Sequence, residues 1–228
     1  MSQNLLVLAG LSHSGKDLLF NQIIKFSKGE SGQNIEEIII YFDPVNLSEE
    51  NIKKKADLIL LTHSHDDHFS IDTLENLVKP TTFIVCPFDC EEPLLQEHFD
   101  FNIYVAKPND SFKLNRVKIE VIRAYSTSAH PDSAGWVGYI IELNGFRLYH
   151  SGDSGFIPEM SNLANIDIAF VTIREPYMMS PKEVLQAINT FKPKILIPIH
   201  WIEEEKDDIN YIKTNSPEYT KVIILERK

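Results

Sequence analysis

Cysteine is scarce in this chain, with two residues in 228. Cys86 and Cys90 stand as C-x3-C in "VCPFDC", without the second pair that a zinc ribbon needs. They read as two reduced thiols at a strand end. Basic charge is also short: 22 Lys and Arg stand against 33 Asp and Glu, a formal net charge of −11. A protein that grips a phosphate backbone gathers Lys and Arg to displace counterions, so nucleic acid is not an expected partner. The one basic cluster, Lys53-Lys54-Lys55, lies in a Glu- and Asn-rich stretch and reads as a solvated face. No run of about 18 apolar residues occurs, which argues against a membrane-spanning helix. No positive region precedes the short apolar run near the N-terminus, so no secretory signal is expected. A soluble cytoplasmic protein is the expectation.

Internal repeats, low-complexity tracts and interdomain linkers are missing too. With 43% hydrophobic residues, the chain can bury one large core without staples, and 1–228 reads as a single domain. Strand-like runs recur: "EIIIYF" (37–42), "DLILLT" (57–62), "TFIVC" (82–86), "FNIYV" (101–105), "VKIEVIRA" (117–124), "VGYIIEL" (137–143), "FRLYHS" (146–151), "DIAFVTI" (167–173), "KILIPI" (194–199) and "KVIILE" (221–226). Most are rich in Ile and Val, as buried strands should be. Asn144-Gly145 between two of them is a hairpin signal, so part of the sheet is antiparallel. Helices interleave. Ser70 can cap one with Ile71, Leu74, Leu77 and Val78 on a single face. Ser180-Pro181-Lys182-Glu183 is a capping box ahead of the stripe Val184, Ala187, Ile188, Phe191. Mixed strand direction with a few helices predicts a layered α/β sandwich rather than a doubly wound sheet.

Gly10-Leu-Ser-His-Ser-Gly15-Lys16 fits G-x-x-x-x-G-K, a phosphate-binding loop, yet position 17 is Asp where Ser or Thr must hold magnesium. A carboxylate there repels the phosphates such a loop cradles. The nucleotide-binding reading is set aside.

Residues 62–68, "THSHDDH", follow the strand "DLILL" directly. His63, His65, Asp67 and His68 put four potential metal ligands within six residues. At a strand end, positions i and i+2 point the same way, so His63 and His65 can grip one ion together. A turn then swings Asp67 and His68 toward a neighbouring position, so one segment can serve two ions. A solvated polar loop is the plainer reading, but three of the chain's eight histidines fall here. Further donors sit just past other strand ends, where α/β proteins build sites: His130 after "VIRAYSTSA", Asp153 in "YHSGDSG" and His200 after "ILIPI".

H-x-H-x-D-H followed by separate His, Asp and His resembles the metallo-β-lactamase superfamily of metal-dependent hydrolases. "FDP" before the motif, "GYII…YHSGDSG" and "IPIHW" resemble its ascorbate-phosphate lactonase-like branch. The resemblance implies a four-layer αββα sandwich of two mixed β-sheets. It implies His63, His65 and His130 at a first metal, Asp67, His68 and His200 at a second, and Asp153 as the bridging carboxylate. Two divalent ions are implied, Zn²⁺ first, with Mn²⁺ or Fe²⁺ as alternatives. Asp43 in "YFDP" matches an Asp that supports the metal loop, whereas His150 reads as a neighbour of the site or a solvent residue. Leu11-Ser12-His13-Ser14 resembles the family's opening segment, which makes His13 a candidate pocket residue within 1–36.

The implied enzyme is a binuclear hydrolase of lactonase or phosphodiesterase type. A metal-bridging hydroxide would cleave a small ester, lactone or phosphodiester, with Asp67 and Asp153 as the catalytic carboxylates. The alternative is a non-catalytic metal-binding or regulatory member of the same fold. The partner is a small-molecule substrate. Arg174 is a candidate to bind an anionic group of the substrate, with Tyr177, Trp136 or Trp201 packing on the substrate.

Overall fold

The computed structural model describes residues 38–47, 52–96, 102–114, 116–127, 129–143 and 145–225, and the backbone of 5–9. The chain divides into two compact units, one ending at Ala106 and one starting at Lys107.

The first unit holds five strands: β1 (Leu5–Ala9), β2 (Ile38–Phe42), β3 (Leu58–Leu60), β4 (Phe83–Cys86) and β5 (Asn102–Val105). They lie side by side in chain order, every neighbouring pair parallel. A parallel strand covered on both faces needs apolar side chains at successive positions, which is why "LIL" of β3 is buried throughout. The edge strand β5 instead alternates exposed and half-buried positions. Helix α1 (Ile71–Leu77) starts where the Ser70 hydroxyl accepts the Thr73 N–H, and buries Leu74 and Leu77. Helix α2 (Phe88–Gln96) buries Cys90 and Leu94 despite Pro93 in its interior. Tyr41, Ile59, Leu61, Ile84 and Cys86 complete the core around these two helices.

The second unit is a seven-stranded mixed sheet. Its strands are β6 (Ser111–Leu114), β7 (Val117–Arg123), β8 (Val137–Leu143), β9 (Phe146–His150), β10 (Ile168–Thr172), β11 (Ile195–Ile199) and β12 (Lys221–Val222), in simple spatial order. β6 to β9 pair antiparallel, and β9 to β12 pair parallel. The mixed character expected from the sequence therefore sits in this sheet, while the described strands of the first sheet run one way. β9 is the switch strand. Because β7, β9, β10 and β11 share a direction, the segments after their carboxyl ends emerge at one edge, and His130, Asp153, Arg174 and His200 all lie on those segments.

Helix α3 (Pro181–Phe191) carries the expected capping box and buries Val184, Ala187, Ile188 and Phe191. Helix α4 (Lys206–Asn215) adds Ile209 and Ile212 to the same core, with Tyr149, Leu196 and Trp201. The β8–β9 hairpin forms as expected, with Gly145 at φ 77°; its companion Asn144 lies outside the described residues. Gly138 has a packing reason. A Cβ there would sit 2.6 Å from the His150 carbonyl oxygen and 2.8 Å from that of Ser151, so β8 tolerates no side chain beside the end of β9.

Candidate metal centre

In the first unit the donors stand on the loop between β3 and α1, and Asp43 is the anchor. Its backbone takes the left-handed region, φ 43°, and its N–H donates to the Leu60 carbonyl at 3.0 Å. That costs a non-glycine residue roughly 1 kcal/mol or more, and such strain gathers at functional sites. The turn aims the carboxylate at the metal loop. Asp43 Oδ1 accepts the Thr62 N–H at 2.7 Å, and Oδ2 accepts both the Thr62 hydroxyl at 2.7 Å and His68 Nδ1 at 2.8 Å. All these groups are buried.

This network sets two tautomers. An ionised carboxylate only accepts, so His68 carries its proton on Nδ1 and turns a lone pair outward on Nε2. Thr62 has spent its one hydroxyl proton on Asp43, so its oxygen accepts from His63 Nδ1, 2.9 Å away. His63 is then also protonated on Nδ1, with its lone pair on Nε2. That Nε2 lies 3.0 Å from His65 Nδ1. Two nitrogens each about 2.0–2.1 Å from one zinc-like ion stand roughly 3.0–3.4 Å apart, so the pair fits a shared cation. Asp67 Oδ2 approaches His68 Nε2 at 3.8 Å, and donor atoms of His63, Asp67 and His68 lie within 4.8 Å of one another. The loop is closed tightly, with the His68 and Phe69 N–H groups both on the His65 carbonyl, and Ser64 donates to Asp89 at the start of α2.

In the second unit, Asp153 is the centre. Its Oδ2 stands 3.3 Å from His130 Nε2 and 3.4 Å from His200 Nε2, with all three residues buried. One carboxylate oxygen facing two imidazoles groups donor atoms of the kind a divalent cation takes. Its placement rests on hydroxyls. The Gly152 carbonyl accepts from Ser151 Oγ at 2.8 Å and from Thr172 Oγ1 at 2.9 Å, while the Thr172 N–H donates to Ser151 Oγ at 3.0 Å. The Gly152 N–H donates to His150 Nδ1 at 3.1 Å. His150 is therefore buried and shapes the turn that presents Asp153. His200 sits at φ 65°, so it is, like Asp43, a non-glycine residue held in the left-handed region. His130 is held through its backbone to Ser126 and Thr127, and the edge of its ring meets Trp136 at 5.6 Å between centroids.

Each expected donor thus lies in a cluster of its own unit: His63, His65, Asp67 and His68 in one, His130, Asp153 and His200 in the other. Imidazole and carboxylate donors, with ring tautomers set by their neighbours, fit a divalent metal of the zinc, manganese or iron kind. Sequence reasoning misses the hydroxyls of Thr62, Ser151 and Thr172, although Thr62 directly precedes His63. Trp201 lies in the second unit's core. His13, Lys16 and Asp17 lie outside the described residues. Burial pushes the Cys86 thiol up to about 12 and raises that of Cys90, with Asp89 adding to both, which disfavours the thiolate form of each.

Parallel and mixed sheets whose strand ends carry buried histidines and carboxylates define an α/β protein built to bind metal. The chain belongs to the beta-lactamase superfamily, whose domain model matches residues 32–200. It is similar to a UPF0173 metal-dependent hydrolase of Staphylococcus carnosus, 28% identical over 189 residues that cover 78% of this chain and 79% of the relative. A crystal structure of a proposed metal-dependent hydrolase from Parabacteroides distasonis superposes with a TM-score of 0.71 at 31% identity, covering 83% of this chain and 85% of that one. The metallo-beta-lactamase fold protein YhfI from Bacillus subtilis shares the fold, with a TM-score of 0.60 at 14% identity over 75% of each chain. The metallo-β-lactamase fold expected from the sequence is the fold of this chain.

Proposed function

We propose that the chain is a binuclear metal-dependent hydrolase acting on a small ester, lactone or phosphodiester, with 1–228 as one hydrolase domain. His63, His65 and His130 hold one ion, Asp67, His68 and His200 the other, and Asp153 serves both. One observation carries this reading. Hydrogen-bonding contacts with Asp43 and Thr62 occupy Nδ1 of His68 and His63, which leaves Nε2 of each to face an ion. Family membership supports it, and the family match runs across both units. Zn²⁺ suits these donors best, with Mn²⁺ or Fe²⁺ as alternatives.

When bound, a pair of divalent ions supplies a reactive water-derived nucleophile near neutrality and polarises the substrate oxygen. The chain's own residues do the rest. Asp153 and Asp67 offset the ions' charge, and their carboxylates can take the proton of the attacking water and return it to the leaving group. Trp136 keeps the His130 ring in place. No protein nucleophile is required. The two free, buried cysteines support a cytoplasmic setting. Among the described residues no helix is long and apolar enough to cross a membrane.

The test is elemental analysis of the purified protein, followed by assay on bis-p-nitrophenyl phosphate and a lactone panel with and without chelator. Two equivalents of metal per chain and turnover that chelator abolishes are expected. Turnover that ignores chelator, or protein that takes up no metal, overturns the reading. Two bound metals with no turnover on any substrate would favour a non-catalytic member of the fold.

A further inference from the structure

Arg174 is the second residue after β10. β10 lies between β9 and β11 and runs parallel to both, so its following segment leaves the sheet between those that carry Asp153 and His200. The segment is firmly built. The Arg174 N–H donates to the Met179 carbonyl at 3.2 Å, and the Arg174 carbonyl accepts from Tyr177 and Met178 at 2.8 and 2.9 Å. Met178 and Met179 are buried, while Tyr177 at the tip is 51% exposed.

The guanidinium is the anomaly. Its Nη1 is buried and has no hydrogen-bonding partner among the described residues. Two other arginines of the same unit have carboxylate partners: Arg147 meets Glu120 and Glu142 through its terminal nitrogens, although its buried Nε lacks a partner, and Arg123 meets Asp132 and Glu159. Acid is plentiful in this chain, at 33 residues against 22 basic ones. The nearest acid on the following helix, Glu183, is engaged in the Ser180 cap. A buried guanidinium N–H without an acceptor is costly and asks for an explanation. Guanidinium pairs best with planar or tetrahedral oxyanions, which it can hold by two parallel hydrogen bonds.

We infer that Arg174 selects substrates that carry an anionic oxygen group, carboxylate or phosphoryl, away from the bond that is cut. This rests on the hydrolase reading above and adds the substrate's charge class to it. Arg174 determines specificity: it binds the anion and takes no part in bond cleavage. The backbone of this segment is fixed by its own hydrogen bonds, which limits the reordering that binding requires, so the contribution of Arg174 falls mainly on KM.

The experiment compares wild type, Arg174→Gln and Arg174→Lys on p-nitrophenyl butyrate, which is neutral, and mono-p-nitrophenyl glutarate, which bears a distal carboxylate. In Arg174→Gln, kcat/KM for the glutarate ester should fall roughly 10- to 100-fold through KM, the range expected for one charged hydrogen-bonding partner. The butyrate should change less than about twofold, metal content should be unchanged, and Arg174→Lys should recover part of the loss. Equal effects on both esters, or none on either, overturn the inference and leave the hydrolase reading standing, because the neutral ester reports that reading alone. Calorimetric titration with inorganic phosphate and with glutarate gives a readout without turnover and separates the two anion types. Weakening by about tenfold in Arg174→Gln for either anion supports the inference. Equal affinity in both proteins, or no binding to wild type, overturns it even if neither ester is cleaved.

Discussion

At the residue scale, the metal loop is governed by a carboxylate that need not touch a metal. Asp43 accepts three hydrogen bonds at once, from the Thr62 N–H, the Thr62 hydroxyl and His68 Nδ1. Asp43→Asn keeps the shape but brings two amide protons where only acceptors fit. His68 loses its charged partner and the Thr62 relay to His63 is disturbed. Partners of this kind typically change metal affinity by about 10- to 100-fold, so the expected outcome is a loss of that size in chelator competition. Secondary structure should be retained by circular dichroism. Unchanged affinity would show that the tautomers are set by something else. The candidate donors themselves are legible in the sequence because metal chemistry demands rare residue types at strand ends. The hydroxyls that hold them are not. Ser and Thr are common, and only topology brings residue 43 beside 62 or 151 beside 172.

At the scale of elements, legibility follows burial. Runs such as "IIIYF" and "IAFVT" announce themselves because a strand covered on both faces has no place for polar side chains. β6 is "SFKL", with its polar positions exposed and its apolar ones only half-buried, and gives a weak signal. Pro93 masks α2, since an interior proline argues against a helix, and α4 begins "KDD" with only two buried isoleucines. The capping box of α3 is visible because its chemistry is local. The second sheet also makes two predictions. Gly138→Ala drives a Cβ into the His150 and Ser151 carbonyls, and backbone there cannot give way without moving the Asp153 turn. Urea unfolding should show a loss of about 1–3 kcal/mol, accompanied by lower metal content. At Gly145 the space is open and only the left-handed backbone objects, so Gly145→Ala should cost about 1–2 kcal/mol and leave metal binding alone. Across β7, β8 and β9, Arg147 joins Glu120 and Glu142, and with Lys118 it holds the Glu120 carboxyl below its ordinary value. A depressed folded value stabilises at pH above the unfolded one, near about 4.3, and that gain is lost as pH falls through the lower folded value. Glu120→Gln should therefore flatten this part of the acid limb in stability measured from pH 5 downward. The effect at neutrality should stay within about 1 kcal/mol, because the carboxylate is partly solvated.

At the scale of the whole molecule, charge and metal are one problem. The chain carries a formal −11, and its donor clusters set the half-buried Asp67 carboxylate and the buried Asp153 carboxylate beside crowded imidazoles. Such a protein repels itself, and specific cations relieve the repulsion where it is most concentrated. A cation that binds only the folded chain stabilises it by an amount set by its concentration relative to Kd, about 2.7 kcal/mol at a hundredfold excess. Screening by simple salt acts on every exposed charge and cannot distinguish one divalent ion from another. The melting temperature of chelator-treated protein should therefore rise steeply with micromolar Zn²⁺ and hardly at all with the same concentration of Mg²⁺, which prefers oxygen-rich octahedral sites. His200→Ala and His63→Ala should each blunt the zinc response, since both clusters contribute to the stabilised state. If Mg²⁺ matched Zn²⁺ at equal ionic strength, or if either alanine variant responded as wild type does, the stabilisation would be general screening and the donor clusters would not be metal sites.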